Sequence, residues 1–350
     1  MLMRKIQGLC ILFILPLSVR ATEPNVGQLI EAYERSLHVL VRSSYEIETK
    51  MAITGIQDFN SPEAITRKSV VYRDGDQWAT LSDERIVFKR GGQQTEEIFH
   101  NNQIINSKYI IYRADNNEPV RVVFASSDID RNKVRIRAAL GAGIVAEGYL
   151  PGNDEGNISL LDVLRGSSAL NVQSEQAEID GHSTYVLESV SKYGKTLLWL
   201  DPLAGFHPRR ITVHKKGADL LDGRPVSSIR SEGNIVADKQ LVDYLLVVDS
   251  VKIEQIGGVF VMTGANMTET RTYVDGSRIC ATYNFTCSNI NLNPDFVALK
   301  AFAIKVPDGT PVNDKDFEAG NLIVVGGKIV SRADNSFREI DQVIEGVKKQ

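Results

Sequence analysis

The residues best equipped for chemistry fall in one stretch, Thr196-Leu-Leu-Trp-Leu-Asp-Pro-Leu-Ala-Gly-Phe-His-Pro-Arg-Arg-Ile-Thr-Val-His214. It sets an acid, two histidines and two arginines between apolar runs. Asp201 with a histidine would be the material of a general acid–base pair, and His207 with His214 could contribute to a metal site. The spacing favours a plainer role. Asp before Pro commonly initiates a turn. Gly205 supplies a permissive backbone, and Pro208 ends the excursion. His214 would stand beside Arg210 and Thr212 on the polar face of a returning strand. The stretch therefore reads as a hairpin, residues 197–200 outward and 209–214 back, whose charges mark its wet face.

No other stretch carries a recognisable reaction centre. There is no Gly-x-Ser-x-Gly elbow, phosphate loop, His-Glu-x-x-His or paired Cys-x-x-Cys. Gly141-Ala-Gly143 lacks the strand-then-helix context of a nucleotide fingerprint. It reads as a flexible loop, of a length that suits a lid or gate. Asn157-Ile-Ser, Asn266-Met-Thr and Asn284-Phe-Thr match the glycosylation pattern as often as chance predicts. Trp78 and Trp199 sit on strands, where core packing is the ordinary role. The reading assigns no catalytic, cofactor-binding or metal-ligating residue, expects no cofactor, and takes the chain as non-enzymatic. An enzyme would need acids and histidines far apart in sequence to converge in a cleft.

The elements that must position these residues follow from composition and period. The 350 residues are 43% hydrophobic and 24% charged, with a formal net charge of −4. That is ordinary globular composition, and it gives no reason to expect nucleic acid as a partner. Met1-Leu-Met-Arg4-Lys5 is a basic start, residues 8–17 are apolar, and Val19-Arg20-Ala21 offers a cleavage site after Ala21. The apolar run is shorter than the roughly 20 residues of a spanning helix. Residues 1–21 are therefore expected to be a signal peptide, and the mature protein periplasmic or secreted. Cys280 and Cys287 then remain. An oxidising compartment favours a bridge. They would lie on one strand, facing opposite sides and about 23 Å apart if it is straight. A disulfide tolerates Cα atoms only to about 7 Å.

Asn25 as N-cap with Gln28 gives a capping-box spacing. Val26, Leu29, Ile30, Tyr33, Leu37, Leu40 and Val41 then form one apolar stripe, predicting a helix. From Tyr45 the period changes to two: Tyr45, Ile47, Met51 and Ile53 alternate with Glu46, Glu48, Lys50 and Ala52. Strands follow at 68–72, 77–81, 85–89, 94–99, 104–112 and 120–124, punctuated by Asp74-Gly75 and Gly91-Gly92. Short helices are expected at 130–139 and 159–165. Strands resume at 172–178, 182–191, 195–200, 210–215, 243–255, 259–263, 268–274 and 277–286. Residues 335–349 place Phe337, Ile340, Val343, Ile344 and Val347 at helical spacing. This is one β-rich domain over 22–330, with a helical or loop insert around 129–166, and a C-terminal helix or tail at 331–350. The fold class is mainly β (α+β): a large antiparallel sheet with few helices.

Leu198-Trp-Leu-Asp-Pro-Leu-Ala-Gly-Phe-His-Pro-Arg-Arg-Ile211 resembles the Trp-x-Asp hairpin of outer-membrane lipoprotein carrier-like (LolA-like) proteins. That group also includes regulators that sense lipoproteins. Asp180-Gly-His-Ser-Thr-Tyr-Val-Leu187 is similar to the family's preceding strand. Ile290-Asn-Leu-Asn-Pro-Asp-Phe296 and Val306-Pro-Asp-Gly-Thr-Pro-Val-Asn-Asp314 look like the ending of many secreted bacterial proteins with this fold. The resemblance implies a curved sheet, an incomplete β-barrel, with helices covering its concave face over an apolar cavity. The expected function is carriage of a lipid, acyl chain or lipoprotein, and peripheral contact with a membrane would suit it. Candidate cavity residues are Tyr45, Ile47, Met51, Ile53, Leu187 and Trp199; each would also suit an ordinary core. The alternative is a non-catalytic envelope scaffold or signalling module that binds another protein.

Overall fold

The computed structural model describes residues 24–55, 62–75, 77–90, 93–105, 109–113, 120–124, 148–149, 159–173, 176–230, 239–302, 306–313, 322–326, 328–333 and 336–341. The leader at 1–21, the helix expected at 130–139 and most of the glycine-rich loop lie outside them.

Helix α1 spans Val26–Leu37, and a 3-10 turn, His38–Leu40, continues it. Asn25 caps it: the Gln28 backbone N–H donates to the Asn25 side chain at 3.0 Å, and the Asn25 N–H to the Gln28 side chain at 2.9 Å. Two orphan donors of the first turn are thus satisfied. Its buried face carries Leu29, Ala32, Tyr33 and Ser36.

Six strands follow: β1 (Arg42–Thr54), β2 (Pro62–Asp74), β3 (Gln77–Arg90), β4 (Gln93–Ile105), β5 (Tyr109–Arg113) and β6 (Arg121–Phe124). Helix α2 (Leu160–Arg165) is capped by Ser159 and ended by Gly166, where the sequence places it. A second series comes next: β7 (Ala169–Val172), β8 (Ala177–Ile179), β9 (His182–Ser191), β10 (Gly194–Asp201), β11 (His207–Lys216), the short pair β12 (Leu220–Leu221) and β13 (Arg224–Pro225), then β14 (Leu241–Ile256), β15 (Val259–Tyr273) and β16 (Arg278–Asn291). The tail adds β17 (Val312–Asn313), β18 (Leu322–Val325), β19 (Lys328–Ala333) and β20 (Ser336–Asp341). Over residues 336–341 the chain is strand rather than the start of the terminal helix expected from 335, and it pairs with β19. The residues between the two strands, Asp334-Asn335, are turn formers. The helical spacing of Phe337 and Ile340 does not outweigh that hairpin; Val343, Ile344 and Val347 lie outside the described residues.

Among the described residues, fifteen strands form one open sheet in the order β17-β6-β5-β4-β3-β2-β1-β16-β15-β14-β11-β10-β9-β7, with β8 added on β9. All neighbours run antiparallel except β17 on β6, which is parallel. Two meanders, β1 to β6 and β9 to β16, meet where β1 pairs with β16. The sheet does not close into a barrel. Bulges lie in β14, at Val242, and in β11, at Arg209, and each bends its strand locally.

Helices α1 and α2 lie on one face, against β7, β9 and β11. This inner face and the helices share one core, in which Leu29, Tyr33, Leu160 and Leu164 meet Leu187, Leu198 and Ile211. The outer face carries a second, smaller core. There Ala79, Ile104 and Ile111 are covered by Val306, Val312, Leu322 and Val324 of the tail.

Candidate functional site

The charged stretch is a hairpin lock. Asp201 is 1% exposed. One carboxylate oxygen accepts the Leu203 N–H at 2.8 Å, so the side chain caps the 3-10 turn Pro202–Ala204. The other accepts Arg209 Nε at 2.9 Å and lies 3.3 Å from His182 Nδ1. Gly205 and Phe206, both at positive φ, reverse the chain. His207 is buried, and its Nε2 bonds the Phe260 carbonyl at 2.9 Å, which ties this turn to the β14–β15 hairpin. Burial holds its pKa below the ordinary imidazole value; Arg209 adds to that, and the bond to Phe260 opposes it. His214 turns away and pairs with Asp243 at 2.5 Å. Each group is used in holding strands together. Among the described residues, no cluster of His, Cys, Asp and Glu could hold a metal ion.

The cavity candidates separate into three groups. Tyr45, Ile47 and Leu187 are buried within the helix-side core. Met51 and Ile53 lie on the same face of β1, two and three alternations further along, and are half-buried. Trp199 belongs to the other face, correcting its place in the set. Leu187 pairs with Leu198, whereas Trp199 pairs with Val186, and neighbours on a strand point oppositely. The alternation of buried Thr196, Leu198 and Leu200 turns Trp199 outward, where the Arg210 guanidinium lies 5.6 Å from its ring centre. Cys280 and Cys287 are not joined by a disulfide and stand at positions of opposite parity on β16.

Register assembles what spacing alone does not. Met51 pairs with Ile65 on β2 and with Tyr283 on β16; Tyr283 pairs with Met267, and Met267 with Val248. From Val248 the same rung runs through Ile211 and Leu198 to Leu187. One apolar line thus crosses eight strands of the inner face. It is fully buried from Met267 to Leu187 and half-buried at Ile65, Met51 and Tyr283. Ile53 and Ile279 flank this open end, also half-buried.

A polar group lies beside the apolar line. Glu269 and Arg271 share the inner face with Met267, and Arg271 Nε donates to Glu269 Oε1 at 2.8 Å. Burial alone would lower the Arg271 pKa, but the Glu269 carboxylate outweighs it and raises the net value. Burial, reinforced by Glu269, pushes the Tyr283 hydroxyl up to about 12. Tyr244, fully buried, is raised further for the same reasons. Strict alternation in Met267-Thr-Glu-Thr-Arg-Thr-Tyr273 was the available sequence signal for this group.

No family model matches the chain, and no curated protein does. Among solved structures it is similar to lipovitellin, in a structure of lipid–protein interactions in that protein. The TM-score is 0.31 and the identity 11%, over 72% of this chain and 26% of that one, so the chain spans about a quarter of lipovitellin's length. It is also similar to LprF from Mycobacterium bovis, with TM-score 0.25 and 9% identity over 81% of this chain and 95% of that one. Both likenesses are remote.

Proposed function

We propose that the protein, exported and cut near Ala21, binds the apolar part of an amphiphile on the inner face of its sheet, without catalysis. The observation that carries this reading is the open end of the apolar rung. Ile65, Met51 and Tyr283 leave apolar surface half-buried where it continues directly into the core. Burying an alkyl chain contributes about 0.8 kcal/mol per CH₂. A guest laid on these side chains needs no reacting group. The helix-covered half offers no such room, because Leu29, Tyr33, Leu160 and Leu187 already fill it. A lipid, an acyl chain or a lipidated protein would each suit the site. Lipoprotein carriage is the version that the resemblance of residues 198–211 supports.

Native mass spectrometry of the purified mature protein, with lipid extraction, tests this. A co-purifying amphiphile is expected, as is uptake of a fluorescent fatty acid that weakens at least tenfold in Met51→Asp. Recovery of no amphiphile together with no uptake overturns the reading. The filled core beneath α1 would then favour the second one, an envelope scaffold that binds another protein through its surface.

A further inference from the structure

The outer face of the sheet holds a different hollow, of about 610 Å³. Its middle is a row of four polar side chains on adjacent strands. Lys50 pairs with Asn284, Asn284 with Asn266, and Asn266 with Asp249. Asn284 Nδ2 donates to Asn266 Oδ1 at 2.6 Å. That bond uses one amide atom of each residue. The Asn284 oxygen, an acceptor, and the Asn266 nitrogen, a donor, are not used in that bond. In the next row Ala52 and Ala64 face each other across β1 and β2, and both line the hollow. Their small side chains make the depression, and their methyl groups give it an apolar floor.

The lining selects by chemistry. Lys50 stands at one end and Asp249 at the other, and Glu48 lies 3.4 Å from Lys50. No net positive charge is left to favour an anion. An alkyl chain would strip water from the asparagine amides and return no hydrogen bond, an unfavourable exchange. A ligand that both donates and accepts, and that has a C–H face, meets every group. A hydroxyl can bond either amide atom, the Asp249 carboxylate or the Lys50 ammonium, while ring carbons rest on the alanine methyls. We propose that this hollow binds a neutral oligosaccharide. Met51, Ile65, Met267 and Tyr283 of the same strands also border the hollow, but the polar row alternates with them in register, so the two readings rest on different side chains.

Calorimetric titration of the mature protein with chitotetraose, cellotetraose and maltotetraose tests the proposal. Saturable binding of at least one is expected. Asn284→Ala should weaken it at least tenfold, and Ala52→Leu, which fills the depression, should abolish it. Neither variant should change the thermal unfolding midpoint materially or the uptake of a fluorescent fatty acid. Failure of all three sugars to bind overturns the proposal, as does binding that Asn284→Ala leaves unchanged.

Discussion

Asp201 shows what a reactive-looking residue does here. Its carboxylate joins the 3-10 turn to Arg209, whose side chain is itself only 12% exposed. Removing the acid would strand a buried guanidinium. Asp201→Ala should therefore cost about 3–5 kcal/mol, read as a lower urea midpoint with unchanged slope. His207 makes the same region sensitive to acid. Its folded-state pKa lies below the free value of 6.5. Between the two values the unfolded chain binds a proton that the native one does not, so stability rises with pH across that window. It is fully present above 6.5 and is lost as pH falls toward the depressed value. His207→Gln, which keeps a donor for the Phe260 carbonyl, should flatten this part of a stability–pH curve. The turn itself was legible in the sequence, because Asp-Pro, Gly205 and Pro208 are local signals. The partners of Asp201 and His207 were not, since Phe260 is 53 residues away from His207.

At the scale of elements, local signals placed ends better than lengths. The Asn25 capping box starts α1 as expected, and Asn25→Ala should lower stability by about 0.5–2 kcal/mol, measurable by denaturant titration. Asp-Gly pairs at 74–75, 180–181 and 275–276 mark three strand ends, and all three glycines have positive φ. Gly194 is more constrained still. It has φ +93, and a Cβ there would lie 2.3 Å from the His214 carbonyl oxygen. Gly194→Ala should lower the melting temperature by several degrees, because a backbone atom cannot step aside. The lengths failed for physical reasons. The sequence reading breaks β3 around Asp83-Glu84, yet the strand runs unbroken, with Glu84 facing inward and bonded to Arg67 at 2.5 Å. An inward acid with a partner across the ladder resembles a polar interruption when read alone. Likewise β15 continues through Gly264, where a Cβ would meet the Phe285 carbonyl oxygen at 2.8 Å. The glycine there permits close approach of β16.

For the whole molecule, the fold class followed from alternation and turn spacing, whereas strand order did not. Periodicity says that a strand has two faces; it does not say which strand lies beside it. The open apolar rung depends on that missing information, because Met51 meets Tyr283 only through the β1–β16 pairing. The same pairing joins partners such as Ile53 and Ala281, more than two hundred residues apart in sequence. Closing such loops precedes any return from their contacts, so refolding should be slow, in the range of milliseconds to seconds or beyond. Stopped-flow fluorescence from Trp78 and Trp199 would follow it. A further consequence concerns how the chain is made. While the N-terminal meander is already emerging from the ribosome, the free side of β1 stays unsatisfied until residue 291 has been synthesised, and β6 waits still longer for Asn313. A nascent chain with such an exposed ladder invites a holding chaperone, and a truncation before β16 should yield aggregate rather than a half-size protein.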